Sequence, residues 1–208
     1  PVFMIEELLF DKNIYPNIDQ SKLKKFYNTS FNKELGWDRK RNSGGIEIGV
    51  NGVKTYFNID SNGSRKTTNK FNNKPIGIFG DSYAFSRCVN DNESIQFFLE
   101  KKLKRKVLNF GVGNFGIDQA LIKFEKTILK HKFDDVILIF VPETICRIRS
   151  RWKHYLEFGN TFAFKPSFEI KNKRLYLKKN LLNKFDNKSI LLKKGKSLSN
   201  NDFFYKKK

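Results

Sequence analysis

The chain is predicted to be an α/β protein with a parallel sheet at its centre and short antiparallel ribbons outside it. Two observations predict this. Residues 75–79 (PIGIF), 106–110 (KVLNF) and 135–141 (DVILIFV) are apolar runs of strand length, and each is separated from the next by a stretch of helical periodicity. Strands that alternate with helices pair in parallel, and right-handed crossovers leave few arrangements. The order 2-1-3 places a topological switch point beside the first strand. Helices on both faces of such a sheet complete a three-layer α/β/α sandwich.

Residues 1–72 are expected to form an N-terminal extension with a helix and a β-hairpin, since 46–50 and 53–59 flank Asn51-Gly52, a dipeptide suited to two-residue hairpin turns. The core is expected over 73–156. Its first strand ends in Gly80-Asp81-Ser82, where glycine permits backbone angles and close approaches that a Cβ forbids. Ser82 then opens the next segment, with its hydroxyl beyond the carboxyl end of a strand, where open parallel sheets bind ligands. The same tripeptide is also ordinary turn chemistry.

Residues 93–103 put Ile95, Phe98, Leu99 and Leu103 on one helical face, and Ile117, Ala120, Leu121, Phe124 and Ile128 repeat the pattern after the second strand. Both stripes are expected to be buried. Residues 144–156 read as a further helix, with Ile145, Ile148, Trp152 and Tyr155 apolar and Arg147, Arg151 and His154 on a polar stripe. On a continuous helix His154 lies roughly 15 Å from Glu143, which suits a structural or substrate-contacting role better than that of a base. Residues 157–208 are expected to be a basic accessory hairpin and tail, with 161–170 and 174–177 flanking Lys171-Asn172-Lys173.

FGDSYAFS, residues 79–86, resembles the first sequence block of the SGNH (GDSL-type) hydrolases, and NFGVGNFGIDQ, residues 109–119, resembles their second. The resemblance implies a flavodoxin-like fold of the SGNH type and a serine esterase or O-acyl hydrolase or transferase activity that needs no cofactor and no metal. It implies that Ser82 is the nucleophile and that its backbone N–H, with that of Asn114, forms the oxyanion hole. Asn114 stands where the family usually has Gly, and Asn accepts left-handed backbone angles better than most residues. Gly111, Gly113 and Gly116 serve the geometry of a tight strand-to-helix turn on either reading. Asp81, Gly113, Glu143 and His154 are the further candidates for lining the site.

Two departures from the family pattern matter. Its Gly-x-Asn-Asp third block appears here as Val141-Pro142-Glu143-Thr144, so Glu143 replaces an oxyanion-hole Asn. A protonated Glu143 would donate a hydrogen bond there, an ionised one would repel the oxyanion, and a third reading turns it away to cap a following helix. The closing Asp-x-x-His is missing, because neither His131 nor His154 has an Asp three positions earlier. His131 reads as a solvated residue near a helix end. The simplest expectation is a fragment whose remainder carries the base. A catalytically inactive SGNH-fold module that binds polysaccharide or another anionic partner is the competing class.

Residues 150–166 (SRWKHYLEFGNTFAFKP) resemble a stretch found in SGNH-like proteins of surface polysaccharide pathways, which makes a carbohydrate ester the expected substrate alongside small-molecule esters. Trp152, Tyr155, Phe158, Phe162 and Phe164 would either stack on sugar rings or fill a core. The net charge of +20 obliges a nucleic-acid reading to be weighed, yet no helix-turn-helix, zinc-finger or RNP-like pattern accompanies it. Nucleic acid is therefore not the expected partner. Residues 2–10 are apolar but too short to span a bilayer, and no signal-peptide pattern is visible. Cys88 and Cys146 lack metal-type spacing and are expected as buried free thiols, which suits a reducing, cytoplasmic compartment. The sequence specifies no oligomeric state.

Overall fold

A computed structural model describes residues 15–49, 51–157, 160–182 and 198–205. Along the chain its elements are α1 (Gln20–Thr29), β1 (Phe31–Asn32), β2 (Gly36–Trp37), β3 (Ser43–Ile48), β4 (Lys54–Ile59), β5 (Ile76–Gly80), α2 (Ser82–Phe85), α3 (Ile95–Leu103), β6 (Val107–Asn109), α4 (Ile117–Ile128), β7 (Asp135–Ile139), β8 (Ser167–Lys171) and β9 (Arg174–Lys178). Short 3-10 turns stand at Asp91–Glu93, Pro142–Ile148 and Lys153–Tyr155. The chain divides into two units, Asp38–Ile145 and Pro1–Trp37 with Cys146–Lys208. No helix among the described residues is long and apolar enough to cross a membrane.

The first unit is mixed α/β, and its sheet has the expected order. β5 pairs in parallel with β6 on one side and β7 on the other, with Ile76 in register with both Val107 and Asp135. Every residue of β5 is buried. Alternation along the strand sends Ile76 and Ile78 into a cluster with Val107 and Leu99, while Phe79 stacks on Phe110 at 5.3 Å and meets Phe124 and Phe133 edge-on.

The helical stripes differ from the expected ones. On α3, Ile95, Phe98 and Leu103 are exposed, and the buried side chains are Gln96 and Glu100, with Leu99 partly covered. The reason is β6, whose outer edge has no strand partner among the described residues. Gln96 Nε2 donates to the Val107 carbonyl at 2.8 Å, and the Val107 amide donates to Glu100 Oε1 at 2.9 Å. Two polar side chains thus take the backbone groups that a further strand would have taken. On α4 the buried set is Asp118, Gln119, Ala120, Ile122 and Lys123, leaving Leu121 and Ile128 exposed. Lys123 is held on that side by its ion pair with Asp38 and lies 6.0 Å from the ring centres of Phe110 and Phe115.

Both hairpins form. β3 and β4 pair from Ser43–Ile59 to Ile48–Lys54, and Gly52 adopts φ 78° in a connection longer than the two residues expected; Val50 lies outside the described residues. β8 and β9 are joined more tightly than expected. Asn172 and Lys173, with φ 49° and 61°, make a two-residue turn of the primed type.

The second unit corrects the helix expected over residues 144–156. Trp152 is extended, with φ −120° and ψ 99°, and bridges to Phe164. The cause is Asp202, whose Oδ2 accepts from Ser150 Oγ at 3.1 Å, the Arg151 amide at 2.7 Å and the Trp152 amide at 2.6 Å. A helix would need those amides for its own ladder. Trp152 stacks on Phe164 at 4.6 Å in a core with Leu23, Tyr27, Tyr155 and Leu182, and Phe162 packs against it. The aromatic run is therefore core at these positions. Phe158 lies outside the described residues. Cys88 and Cys146 are only partly buried, where buried thiols were expected.

Two outcomes follow for this unit, which holds both tryptophans, Trp37 and Trp152. Asp202→Ala leaves four donors without their acceptor, the Phe204 amide on Oδ1 being the fourth, and should destabilise it by about 3 kcal/mol, read by urea unfolding with tryptophan fluorescence. Lys153 is fully buried, and burial holds its ammonium at about 8 despite the Glu157 carboxylate 2.7 Å away. The unfolded chain therefore binds the extra proton between about 8 and the ordinary value of 10.5. The unfolding free energy of this unit should rise with pH across that window, and Lys153→Met should flatten the slope.

Candidate functional site

The serine turn is fixed by lack of space. Gly80 has φ 147°, and a Cβ there would stand 1.9 Å from the Ile139 carbonyl oxygen on β7. Only glycine lets β5 end beside its neighbour and turn at once into α2. Asp81 is buried and caps that short helix, its Oδ1 accepting from the Tyr83 amide at 2.8 Å and its carbonyl from the Phe85 amide at 3.0 Å. Ser82 follows half-buried, and its hydroxyl has no hydrogen-bond partner among the described residues.

The loop after β6 is drawn against this turn. Parallel pairing continues past the strand, with the Phe110 amide donating to Ile78 O at 2.8 Å and the Val112 amide to Gly80 O at 3.1 Å. A Cβ on Gly111 would meet the Phe85 amide nitrogen at 2.4 Å, so this glycine permits the contact of loop and helix. Asn109, fully buried, donates from Nδ2 to the Ala84 carbonyl at 2.7 Å and accepts from the Gly111 amide at 2.9 Å. Asn114 takes the left-handed conformation, φ 66°, that its residue type tolerates. Gly113 has no atom within 4 Å of where a Cβ would stand. The ends of the three parallel strands meet here. Gly80, Asp81, Phe115, Gly116, Leu138 and Thr144 are among the residues lining a seam too narrow for water.

Ser82 itself lines a groove of ≈ 300 Å³ together with Tyr83, Ser86 and Arg87. The loop that runs on from α2 is strained: Ser86 and Cys88 are left-handed, with φ 58° and 64°. Arg65, 1 % exposed, holds it. Its Nη1 donates to the carbonyls of Phe85 and Ser86, and its Nη2 to that of Val89, all at 2.7 Å, while Nε pairs with Asp91 at 2.8 Å. Glu47 on β3 holds the loop from the hairpin side, accepting the Cys88 amide at 3.2 Å and pairing with Arg39 at 2.6 Å and Arg87 at 3.5 Å.

Sequence reasoning singled out Ser82, Asp81, Gly113, Asn114 and Glu143, and all five lie in the unit Asp38–Ile145. Glu143 is exposed, in the first turn of the 3-10 segment Pro142–Ile148. His154 belongs to the other unit, where it is buried between Trp152 and Tyr155, 5.5 and 5.1 Å from their ring centres. His131 is half-buried against Phe110 and Phe133 where a solvated residue was expected, and burial lowers its pKa. Arg65, Asn109, Glu47 and Arg87 were missed. Asn109 is the first residue of the second block and Arg87 directly follows the first, whereas nothing near Arg65 or Glu47 in sequence marks them.

The glycines give a sharp contrast. Gly80→Ala and Gly111→Ala should each cost more than about 4 kcal/mol or prevent folding, and Gly113→Ala should stay within about 0.5 kcal/mol, by thermal unfolding followed in the far ultraviolet. No protein-family model matches the chain, and no curated protein matches it.

Proposed function

We propose that this chain is a serine esterase or O-acyl hydrolase or transferase of the SGNH type, acting on a small-molecule or carbohydrate ester. In this reading the unit Asp38–Ile145 is a three-layer α/β/α core. The observation that supports it best is the apposition of the Gly80-Asp81-Ser82 turn and the loop bearing Asn114, with an unengaged hydroxyl on a residue that lines an open groove. Non-glycine residues held left-handed beside that hydroxyl are the kind of strain that gathers at functional sites.

Ser82 Oγ attacks the ester carbonyl while its proton passes to a general base. The backbone N–H groups of Ser82 and Asn114 stabilise the oxyanion, the alcohol leaves, and water or another hydroxyl takes the acyl group. Asp81 and Arg65 shape the turn from which Ser82 acts, and Gly113 keeps the donor loop free of side-chain bulk.

A second reading, a non-catalytic module on the same fold, is favoured by one observation: among the described residues no base is hydrogen-bonded to Ser82 Oγ. An unassisted serine hydroxyl is a weak nucleophile. Labelling with a fluorophosphonate separates the two. The esterase reading expects a single adduct, mapped to Ser82 by mass spectrometry and lost in Ser82→Ala. A folded wild-type chain that takes up no label would leave the binding module standing.

A further inference from the structure

We infer that the Ser82 groove selects esters carrying an anionic group, a carboxylate or a phosphate, close to the acyl bond, with Arg87 as the residue that recognises it; this rests on the esterase reading above. The groove has four lining residues, of which one is cationic and none acidic. Arg87 stands five positions after Ser82, and its amide donates to the Ser82 carbonyl at 3.0 Å, so the backbone fixes it to the nucleophile's own turn.

Its charge is only partly matched. Glu47 is the carboxylate it meets, and Glu47 is shared. Arg39 takes Oε1 at 2.6 Å and is packed between the rings of Phe57 and Phe85, at 4.3 and 4.2 Å, whereas Arg87 reaches Oε2 through Nε alone, at 3.5 Å. Two guanidinium groups thus face one carboxylate, and the closer contact belongs to the less exposed partner. The Arg87 side chain is 55 % exposed, and its two Nη atoms have no acceptor among the described residues. That free edge is the planar fork that binds a carboxylate or phosphate with two hydrogen bonds. Glu47 orients it from below through Nε. The exposed Tyr83 beside it supplies a phenol as a further donor. A net charge of +20 adds a field that draws anions toward the surface.

The test compares two fluorophosphonates of equal size, one ending in a carboxylate and one in a neutral amide, by their second-order rates of labelling Ser82. Wild type should favour the anionic probe by about tenfold at low salt, and the preference should shrink as ionic strength rises from about 0.05 to about 0.5 M. Arg87→Gln should bring the ratio close to one. Arg87→Lys, which keeps the charge and loses the fork, should give an intermediate ratio. Equal rates in wild type, or a preference that survives Arg87→Gln, would overturn the inference and leave the esterase reading intact. Labelling by neither probe would remove the esterase reading instead. In that case titration of the amide resonances of Tyr83 and Arg87 with phenyl phosphate and with benzoate decides whether the groove recognises anions. Saturable shifts absent from Arg87→Gln support recognition and tell phosphate from carboxylate, and no shift with either compound sinks it.

Discussion

A guanidinium buried among carbonyl oxygens is the constraint on which the region around Ser82 depends. Arg65 leaves the chain just after the β3–β4 hairpin, and its own amide donates to Asn109 O at 2.9 Å. Its side chain then gathers the carbonyls of Phe85, Ser86 and Val89. These are the oxygens a short helix and a left-handed loop leave without partners. A buried cation is tolerable only with its donors satisfied, and here each guanidinium nitrogen has an acceptor. The arrangement is reciprocal: the loop needs the arginine to hold its strained angles, and the arginine needs the loop to leave water.

How much of this was legible in the sequence follows from the range of the forces involved. The order β6-β5-β7 came from apolar runs separated by helical periods, since strand burial and crossover handedness are properties of local pattern and chirality. The demand for glycine at position 80 was readable for the same reason. The faces of α3 and α4 were not. Periodicity assumes that a helix buries its apolar side, but Gln96 and Glu100 on α3 answer to an edge strand, and Lys123 on α4 to Asp38. Those requirements arise only once the sheet exists.

The second unit makes the same point at longer range. Residues 144–156 carry a sound helical pattern, and the chain overrides it because one carboxylate fifty positions later claims two amides and a hydroxyl. A side chain so far along the sequence leaves no local trace. Lys153 shows the electrostatic side of that packing. Its ammonium sits with no exposed surface and shares Glu157 with Arg147, whose Nε lies 2.6 Å from the same carboxylate. The site residues divide likewise. Ser82 and Asn114 were found because block patterns are local, whereas Arg65 and Glu47 act on the serine turn from the preceding hairpin region.

β7 carries one more consequence. Its Val136 and Leu138, with Phe140 just beyond, are nearly half exposed on what is, among the described residues, an edge strand of the sheet, and no proline or inward-pointing charge interrupts the run from 136 to 140. An uncovered margin of this kind is a template for strands from other molecules, and natural sheets ordinarily blunt it with lysines or bulges. Here the deterrent is long-range repulsion between strongly cationic molecules, which salt screens. Concentrated solutions of the chain would therefore keep best at low ionic strength and turn cloudy as salt is added.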